Sequence, residues 1–340
     1  MSWFCYSAAM SQTETDRERA IRLLEIYRGG SDDFFKVWPP DKTYYFSSDN
    51  KAFIAYAVRY RTAVCIGDPV GADDSIALIV AEFREYCRKI RLRPLFVQAS
   101  ADRKGAYRGS GFKPICIGAD AIVDLDEFME RTIRNRYFRN FVNRFTKMGY
   151  SLDEFAPPHS TALLRELRHV SDSWLTIPHR KEWSFITGRF DTDYLQQVNI
   201  IVLRDKKGSI QAFVNELTSF QPGTTTIDMM RHRRDAPTNS IDLLFTVLFQ
   251  RRYADGYSSF NLGISPLDGK EFKRNVASKM LDRAFYHSNR FIGFRGLHQF
   301  KAKYHPKWEP RYVWYSGNPT RLALSGVAVA RLIGLNVSGK

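Results

Sequence analysis

The second half of the chain carries the order of secondary structure that most restricts its fold. Three short apolar runs between residues 199 and 230 predict strands, and the first two are joined by a tight Lys-Lys-Gly turn. A loop at 231–239 then leads to an apolar run of helical length at 240–253, and residues 258–262 predict a further strand. Strands interrupted by a helix in this way indicate a sheet with helices packed against it.

The first half repeats this order with weaker signals. Strand patterns between residues 43 and 66 precede a turn at 67–71, a helix predicted at 75–90 and a buried strand at 94–98. Such an order suits an acyltransferase fold of the GNAT type, in which a splayed sheet opens a cleft for donor and acceptor. We therefore predict an α/β (α+β) protein with a tandem GNAT-like fold, made of two mixed sheets with flanking helices.

These patterns divide the chain into four parts. We predict an N-terminal GNAT-like lobe at 14–129, a basic connecting helix at 130–150, a C-terminal catalytic lobe at 151–318, and an apolar and basic tail helix at 319–340. No unbroken apolar stretch reaches the ~20 residues that a membrane span needs, and Arg331 interrupts the tail. The tail is thus predicted to pack on the protein or lie on a surface, and the chain to be cytoplasmic and peripheral to the inner face of the cell membrane.

The charge of the chain favours polyanionic partners. Its 51 Lys and Arg against 36 Asp and Glu give a net charge of +15, which suits nucleic acid or an anionic membrane face. Residues 131–147 hold six basic side chains and no acidic one, beside an apolar stripe that one face of a helix would bury. We predict that this face binds phosphates of RNA or of lipids, with a solvated linker helix as the alternative. The basic residues are Arg131, Arg134, Arg136, Arg139, Arg144 and Lys147.

Seven motifs between residues 40 and 315 resemble, in the same order, the C-terminal domain of the multiple peptide resistance factor family. The family comprises the lysyl- and alanyl-phosphatidylglycerol synthases. The motifs include Gly67-Asp68-Pro69-Val70-Gly71, Ile227-Asp228-Met229-Met230-Arg231, Phe260-Asn261-Leu262-Gly263, Phe300-Lys301-Ala302-Lys303 and Pro306-Lys307-Trp308-Glu309-Pro310-Arg311-Tyr312. The resemblance implies a tandem GNAT-like fold, aminoacyl-tRNA as donor, phosphatidylglycerol as acceptor and no coenzyme A. Family members usually carry a membrane-embedded N-terminal region, so this sequence is either an excised catalytic part or a stand-alone form.

Three residues are predicted to be catalytic. Asp228 and Arg231 lie at the end of a predicted central strand, where this fold opens its cleft. Asp228 could orient the acceptor hydroxyl or the α-amino group, or act as base, and Arg231 could hold a phosphate or complete an ion pair. A purely structural Asp–Arg pair is the alternative. In the family, the lysine matching Lys303 belongs to the active site, where it could stabilise the oxyanion or bind the lipid phosphate.

Further residues are predicted to bind substrates. Asn215 and Glu216 lie on the preceding strand, where alternation directs one of them into the cleft, and Lys301 and Arg311 come from the last two motifs. Alternate residues of a helix diverge, so one of Lys301 and Lys303 can face the cleft while the other meets solvent.

The loop at 231–239 has no glycine, which argues against a coenzyme A pyrophosphate site. Its Arg233 and Arg234 are predicted to bind the tRNA backbone. The four cysteines form no CxxC pair and no zinc-finger spacing with histidine, so we predict neither a metal nor any other cofactor.

Three rival functions remain compatible with the residues. An acyl-CoA-dependent GNAT enzyme would acylate an amine, and a peptidoglycan-bridge aminoacyltransferase would use the same tRNA donor on a cell-wall precursor. A basic adaptor would bind RNA or membrane without catalysis. Donor use separates the first from our prediction, the acceptor separates the second, and retained function after loss of Asp228 or Lys303 separates the third.

Overall fold

The computed structural model describes residues 14–178, 180–266 and 292–334. Its strands are β1 (Thr43–Phe46), β2 (Ala52–Arg59), β3 (Thr62–Ile66), β4 (Val70–Gly71), β5 (Arg93–Ala99), β6 (Lys113–Asp124), β7 (Ser151–Phe155), β8 (Asn199–Arg204), β9 (Ile210–Leu217), β10 (Thr224–His232), β11 (Ser259–Pro266) and β12 (Lys307–Tyr315). Its α-helices are α1 (Asp16–Tyr27), α2 (Phe34–Val37), α3 (Asp73–Lys89), α4 (Lys104–Gly109), α5 (Leu125–Glu127), α6 (Arg136–Lys147), α7 (Thr161–Leu175), α8 (Thr192–Leu195), α9 (Ser240–Ala254), α10 (Ile292–Ala302) and α11 (Pro319–Leu332).

Each half of the chain has the same central unit. In the first half, β3 leads through α3 to β5, which lies parallel to β3. In the second half, β10 leads through α9 to β11, which lies parallel to β10. Antiparallel strands flank both units. The repeat of a strand, a helix and a parallel strand confirms the predicted tandem GNAT-like fold.

The two halves exchange their last strands at the centre of the sheet. β6 ends the first half in sequence, yet it pairs with β11 of the second half, while β12 pairs with β5 of the first half. β6 and β12 also pair with each other. The described strands therefore form one sheet in the order β1-β2-β3-β5-β12-β6-β11-β10-β9-β8-β7, with β4 beside β2. We predicted two mixed sheets; they are joined because the 12 residues of β6 bond along both edges.

The sheet of the second half is covered on both faces. On what we call the first face, α6 and α9 pack side chains such as Phe141 against Ile227 of β10. On the second face, α7 and α8 pack Leu167 and Tyr194 against Met229. A register shift between β9 and β10 falls at residues 227–230, so the alternation of side chains changes just where the predicted catalytic strand residues begin.

The basic connecting helix is shorter than the predicted 130–150. α6 begins at Arg136 because the side chain of Asn135 accepts a hydrogen bond from the backbone N of Tyr137 and caps the helix. Residues 128–132 form a separate π-helical turn. The division of the chain into four parts remains a prediction, and the strand exchange means that the sheets of the two lobes are continuous.

The tail forms α11, which packs on β2 and β3 of the first half. Leu322 and Ala328 of this helix are buried against Val64 and Leu95. The predicted tail extends to residue 340, and residues 335–340 lie outside the described part of the chain. Of the helices in the described ranges, none combines the length and apolar character that crossing a bilayer requires.

Candidate active site

The parallel strands of the second half separate after a short contact. β10 and β11 pair at three successive positions, residues 224–226 opposite 259–261. Beyond these positions β10 bonds with β9 and β11 with β6, but the described residues of the two strands no longer bond with each other. The separation creates the opening in which a GNAT-like fold receives its substrates, and Asp228 and Arg231 lie on its β10 side.

The corresponding opening in the first half is closed. β3 and β5 pair at five successive positions. Just beyond them, the carboxylate of Asp68 accepts hydrogen bonds from the backbone N of Ser100 at 2.7 Å and from the hydroxyl of Tyr107 at 2.8 Å. This carboxylate thus joins the ends of β3 and β5. The second half is therefore the catalytic candidate.

Asp228 is the titratable group at the opening. Its Oδ2 accepts hydrogen bonds from the backbone N of Gly188 at 2.8 Å and from the hydroxyl of Tyr194 at 2.7 Å. Burial of the carboxylate raises the pKa of Asp228 to about 7, although these hydrogen bonds and the charge of Arg231 favour ionisation. A carboxyl group that titrates near neutral pH can take a proton from a substrate hydroxyl and release it again.

Tyr194 links Asp228 to Asn215. Its hydroxyl donates to Asp228 and accepts a hydrogen bond from Asn215 Nδ2 at 2.8 Å. Asn215 Oδ1 accepts a hydrogen bond from the backbone N of Met229 at 2.8 Å, which fixes the amide at the irregular part of β10. Burial and the neighbouring Asp228 hold the pKa of Tyr194 well above its usual value, so the phenol stays a donor. Asn215 thus orients Tyr194, and Tyr194 orients Asp228.

Arg231 forms the ion pair that the sequence left open as one of its roles. Its Nη2 lies 2.8 Å from Glu182 Oε1, and its Nη1 donates to the hydroxyl of Ser171. The guanidinium also stacks on Trp174, 5.0 Å from the ring centroid. Glu182 Oε1 additionally accepts a hydrogen bond from the backbone N of Phe190. Arg231 therefore anchors the loop at 182–190, which carries Gly188 to Asp228.

Gly188 allows this loop to approach the carboxylate. A Cβ atom at this position would overlap both the ring of Tyr194 and Oδ2 of Asp228. We expect Gly188→Ala to push the loop away and lower the rate of any reaction that depends on the Asp228 carboxylate by about 10²-fold or more, because a displacement of about 1 Å at a reacting group has this effect. Single-turnover rates measure the loss. Gly105→Ala, in α4 with open space where a Cβ would lie and without a positive φ, is the control for a glycine exchange, and an unchanged rate for Gly188→Ala would contradict the assignment.

Glu216 does not join Asp228. It points to the other side of β9, where Arg252 Nε and Nη2 lie 2.7 and 2.8 Å from its two carboxylate oxygens. Thr225 donates a further hydrogen bond at 2.7 Å. Glu216 also lines a cavity of about 540 Å³ between the β9–β10 turn and the end of α9. Of the two residues that alternation was expected to separate, Asn215 joins the hydrogen-bond network of Asp228 and Glu216 does not.

The two lysines diverge, and Lys303 lies just beyond α10, which ends at Ala302. Lys301, in the last turn of α10, is buried and donates hydrogen bonds to the backbone O of Gly263 and Ile264 at 2.9 Å each. Burial lowers the pKa of Lys301 to about 7, against the charge of Asp120.

Lys303 binds Asp242 of α9 instead, and lies 4.4 Å from the ring centroid of Phe300. These contacts are with residues packed on the first face, whereas Asp228 contacts Tyr194 on the second face. The structure thus gives Lys301 a place on the β11 side of the opening and does not join Lys303 to Asp228.

Arg311 is held in the centre of the exchanged strands. Its Nη2 and Nε lie 2.6 and 2.7 Å from Asp120 Oδ2 on β6. Asn261 of β11 donates to the same oxygen at 3.4 Å and to Ser31 Oγ at 3.0 Å. Arg311 therefore joins β12, β6 and β11 through one carboxylate, and a contact with substrate remains a prediction.

The basic residues form an exposed face beside this site. α6 buries Phe138, Phe141 and Phe145, and its basic side chains point outward. Arg144 Nη2 donates to the backbone O of Thr238 at 2.6 Å, which holds the loop of Arg233 and Arg234 against α6. The six basic residues that the sequence predicted on this face are exposed, namely Arg131, Arg134, Arg136, Arg139, Arg144 and Lys147.

Comparison of the sequence with known protein families identifies the family of this chain. A sequence profile of the family described as phosphatidylglycerol lysyltransferase, C-terminal, matches residues 22–315. The chain belongs to this family.

Curated and solved relatives agree with the family. The phosphatidylglycerol lysyltransferase of Bacillus subtilis (strain 168) is 34% identical over 94% of this chain and 37% of its own length. The enzyme of that name from Staphylococcus aureus (strain MRSA252) is 27% identical over 93% of this chain and 38% of its own length. The chain thus spans well under half the length of these relatives.

Two solved structures share the fold. L-PGS from Bacillus licheniformis is 34% identical with a TM-score of 0.81, over 94% of this chain and 97% of that one. The C-terminal domain of a putative lysylphosphatidylglycerol synthetase from Agrobacterium fabrum is 33% identical with a TM-score of 0.80, over 96% and 98%.

Three groups at this family member's site escaped the sequence analysis. Tyr194 lies in the four-residue helix α8, Gly188 in an irregular loop, and Glu182 among charged residues of the same loop. The only local signal was the Asp191 cap that begins α8. Within the ranges that the structure describes, no group of three or more His, Cys, Asp or Glu side chains is arranged to hold a metal ion.

Proposed function

We propose that this chain transfers an aminoacyl group from aminoacyl-tRNA to the hydroxyl of a membrane lipid, phosphatidylglycerol. The observation that carries the proposal is Asp228, a carboxyl group that titrates near neutral pH on the separated part of β10. Membership of the phosphatidylglycerol lysyltransferase family supports the donor and acceptor classes. The names of the relatives favour lysine as the transferred amino acid, with alanine as the alternative within the proposal.

The reaction is an ester exchange, and its atoms balance without a further reactant. The glycerol hydroxyl of the lipid attacks the carbonyl carbon of the aminoacyl ester, and its proton passes to the carboxylate of Asp228. The bond between that carbon and the terminal ribose oxygen of the tRNA breaks, and the proton returns to this oxygen. Because the ester is already activated, positioning and modest proton transfer are sufficient.

The chain is proposed to need no cofactor. The start of α9, where a coenzyme A-dependent fold would bind pyrophosphate, carries Asp242 in its first turn. This carboxylate binds Lys303 and also accepts hydrogen bonds from Asn239 and Tyr304. A pyrophosphate placed there would lie beside this carboxylate, and the loop before the helix has no glycine that would let a pyrophosphate approach the backbone closely. The arrangement supports RNA rather than coenzyme A as the carrier of the acyl group.

The test is an acyl-transfer assay on the purified chain. It is incubated with labelled lysyl-tRNA or alanyl-tRNA and vesicles of phosphatidylglycerol, and the lipid extract is analysed by mass spectrometry. We expect a lipid whose mass has increased by one aminoacyl group. Transfer from acyl-CoA, or transfer from tRNA to a cell-wall precursor amine with none to lipid, would contradict the proposal.

The basic face supports tRNA as donor and gives a second prediction. Reversing Arg136 and Arg139 to Glu should lower the slope of log affinity against log salt by about 2, because each phosphate contact contributes about one unit. Filter binding of charged tRNA between low and physiological salt measures the slope. Arg108→Glu/Lys113→Glu, with the same charge change at exposed positions of the first half, should leave it unaltered. Equal slopes for the two double variants would remove α6 from the RNA interface.

We also infer that the chain works at the inner face of the cell membrane. Its acceptor lipid is anionic, and basic surfaces are attracted to such a bilayer. The net charge of +15 supports a peripheral attachment of this kind.

A further inference from the structure

Three segments of the first half converge at one end of its sheet. They are the β2–β3 hairpin turn, the turn that follows α3, and the middle of α11. The backbone N of Arg93 donates to the backbone O of Arg61 at 2.8 Å, which joins the two turns. The hydroxyls of Thr62 and Ser325 lie 3.4 Å apart, which joins the hairpin to α11. We call this end, formed by residues 58–62, 88–93 and 321–327, the sheet tip.

The sheet tip exposes large apolar side chains. Tyr60 is 50% exposed, Val58 and Leu324 are each 49% exposed, Ile90 is 46% exposed and Val327 is 37% exposed. Leu324 and Val327 are three residues apart on α11 and lie on the side of the helix away from the buried Leu322. Val58 alternates with Ala57, which packs with α11, so Val58 lies on the α3 side of the sheet and Leu324 and Val327 lie on the α11 side. Isolated apolar residues on a surface need no explanation, but several around one end of a sheet indicate an interaction site.

Around these apolar groups basic residues predominate, although Arg88 is paired with Glu85. Residues 52–67, 86–99 and 310–334 contain no Asp or Glu. Arg59, Arg61, Lys89 and Arg91 are exposed, and none of them forms an ion pair with the described residues. The guanidinium of Arg59 lies over the ring of Tyr60, 5.0 Å from its centroid. Unpaired cations beside exposed apolar groups fit a partner that offers anions and hydrocarbon together.

We propose that the sheet tip docks this chain on an anionic lipid bilayer, with the apolar side chains in the interface and the basic side chains among the head groups. Lys and Arg at a bilayer place their charge at the phosphates, while aromatic and aliphatic groups enter the boundary with the acyl chains. RNA would satisfy the cations but not Val58, Ile90, Leu324 and Val327. This inference rests on the proposed function in one respect, namely that the docked bilayer would supply the lipid acceptor.

α11 connects the sheet tip with the loop over Asp228. From Ser325, which contacts the hairpin, to Leu332 the helix advances seven residues, or about 10 Å. The backbone O of Leu332 accepts a hydrogen bond from Ser184 Oγ at 3.0 Å, and the same loop carries Gly188 to Asp228. The bilayer contact and the catalytic candidate are thus joined through one rigid element. The basic face of α6 belongs to the second half, so each half would serve one substrate.

Vesicle sedimentation with the full chain tests the proposal without tRNA or turnover. Vesicles of phosphatidylglycerol mixed with phosphatidylcholine are compared with vesicles of phosphatidylcholine alone. We expect binding to the anionic vesicles, and a loss of at least about 10-fold in partition for Arg59→Glu/Arg61→Glu, from the attraction of each basic residue to an anionic surface. Leu324→Ser/Val327→Ser should lower the partition onto these vesicles severalfold, because it removes the apolar contact with the bilayer.

Matched variants separate the possible occupants. Lys206→Glu/Lys207→Glu, with the same charge change at the exposed turn between β8 and β9, and Leu175→Ser/Tyr253→Ser, with exposed apolar residues elsewhere, should bind vesicles like the unchanged chain. Thermal melting confirms that each variant is folded.

Equal vesicle binding by the sheet tip variants and the controls would overturn the proposal. Loss of tRNA affinity in the tip variants would assign the surface to RNA, and loss of a dimer in sedimentation equilibrium would assign it to a second copy of the chain. Because binding is measured apart from catalysis, a failure of the transferase assay leaves this result interpretable.

Discussion

Replacing Asp228 by asparagine should lower the rate of aminoacyl transfer by about 10²–10⁴-fold and leave tRNA affinity unchanged. Asparagine keeps the size of the side chain, and one amide oxygen can accept both hydrogen bonds that Oδ2 accepts from Gly188 and Tyr194. The change therefore removes proton uptake and little else. Rates are measured in single turnovers with bound aminoacyl-tRNA, and affinity by filter binding. A variant that loses tRNA binding but keeps its intrinsic rate would assign Asp228 to the donor site instead.

The pH dependence identifies the group further. If Asp228 accepts the proton, transfer by the unchanged chain should rise with pH through about 7, where its carboxyl group ionises. The asparagine variant should show a flat profile over the same range. The same rise in both proteins would mean that another group is the base. Tyr194→Phe is a useful companion, because it removes a hydrogen bond that favours the ionised carboxylate and should move the midpoint to higher pH.

The stability of the folded chain should fall with rising pH, whereas the transfer rate should increase. The ordinary pKa of an aspartic acid is 3.8, and burial raises that of Asp228 to about 7 in the folded chain. Between these values the unfolded chain has released a proton that the folded chain retains, so folding becomes less favourable as the pH rises from about 4 to about 7. The total effect is about 4 kcal/mol. Urea denaturation measures the free energy of unfolding. At pH 8 this free energy should be larger for Asp228→Asn than for the unchanged chain, and below pH 4 the two values should be equal.

The sequence predicted the repeated units because their evidence is local. Apolar periodicity, the glycine at the hairpin turn and the helical run at 240–253 identify elements within a few residues of one another. The exchange of β6 and β12 was not predicted. Both strands are apolar enough to pair with either half, and the choice depends on contacts between residues nearly two hundred positions apart, such as Asp120 and Arg311.

The candidate site shows the same limit at the level of single side chains. Asp228 and Arg231 were selected because they lie at the end of a predicted strand and within a motif that resembles the family. Alternation indicated that Asn215 and Glu216 diverge, but not which one joins Asp228, and helix geometry left the same choice for Lys301 and Lys303. Tyr194 was missed because a single tyrosine in a four-residue helix has no periodic neighbours. Its role depends on a loop that only the tertiary structure brings to β10.

Replacing Arg311 is expected to cause a large loss of folding stability. Arg311→Met should lower the free energy of unfolding by about 3–5 kcal/mol, because it leaves Asp120 as a buried charge without its cation. Asp120 is 3% exposed, and both Nη2 and Nε of Arg311 bind its Oδ2. Urea denaturation at pH 7 measures the loss. Arg321→Met, which removes an exposed cation from α11, should change stability by no more than about 0.5 kcal/mol.

The double variant Asp120→Asn/Arg311→Met decides between the two roles of Arg311. With neither charge left in the centre of the sheet, it should be more stable than Arg311→Met alone, since the unpaired carboxylate is what destabilises the single variant. If the ion pair of Arg311 with Asp120 only holds the exchanged strands together, the double variant should recover stability and the KM for the lipid should be unchanged. If Arg311→Met instead keeps its stability and raises the KM for phosphatidylglycerol, Arg311 contacts the substrate, and the ion pair with Asp120 opens when the lipid enters.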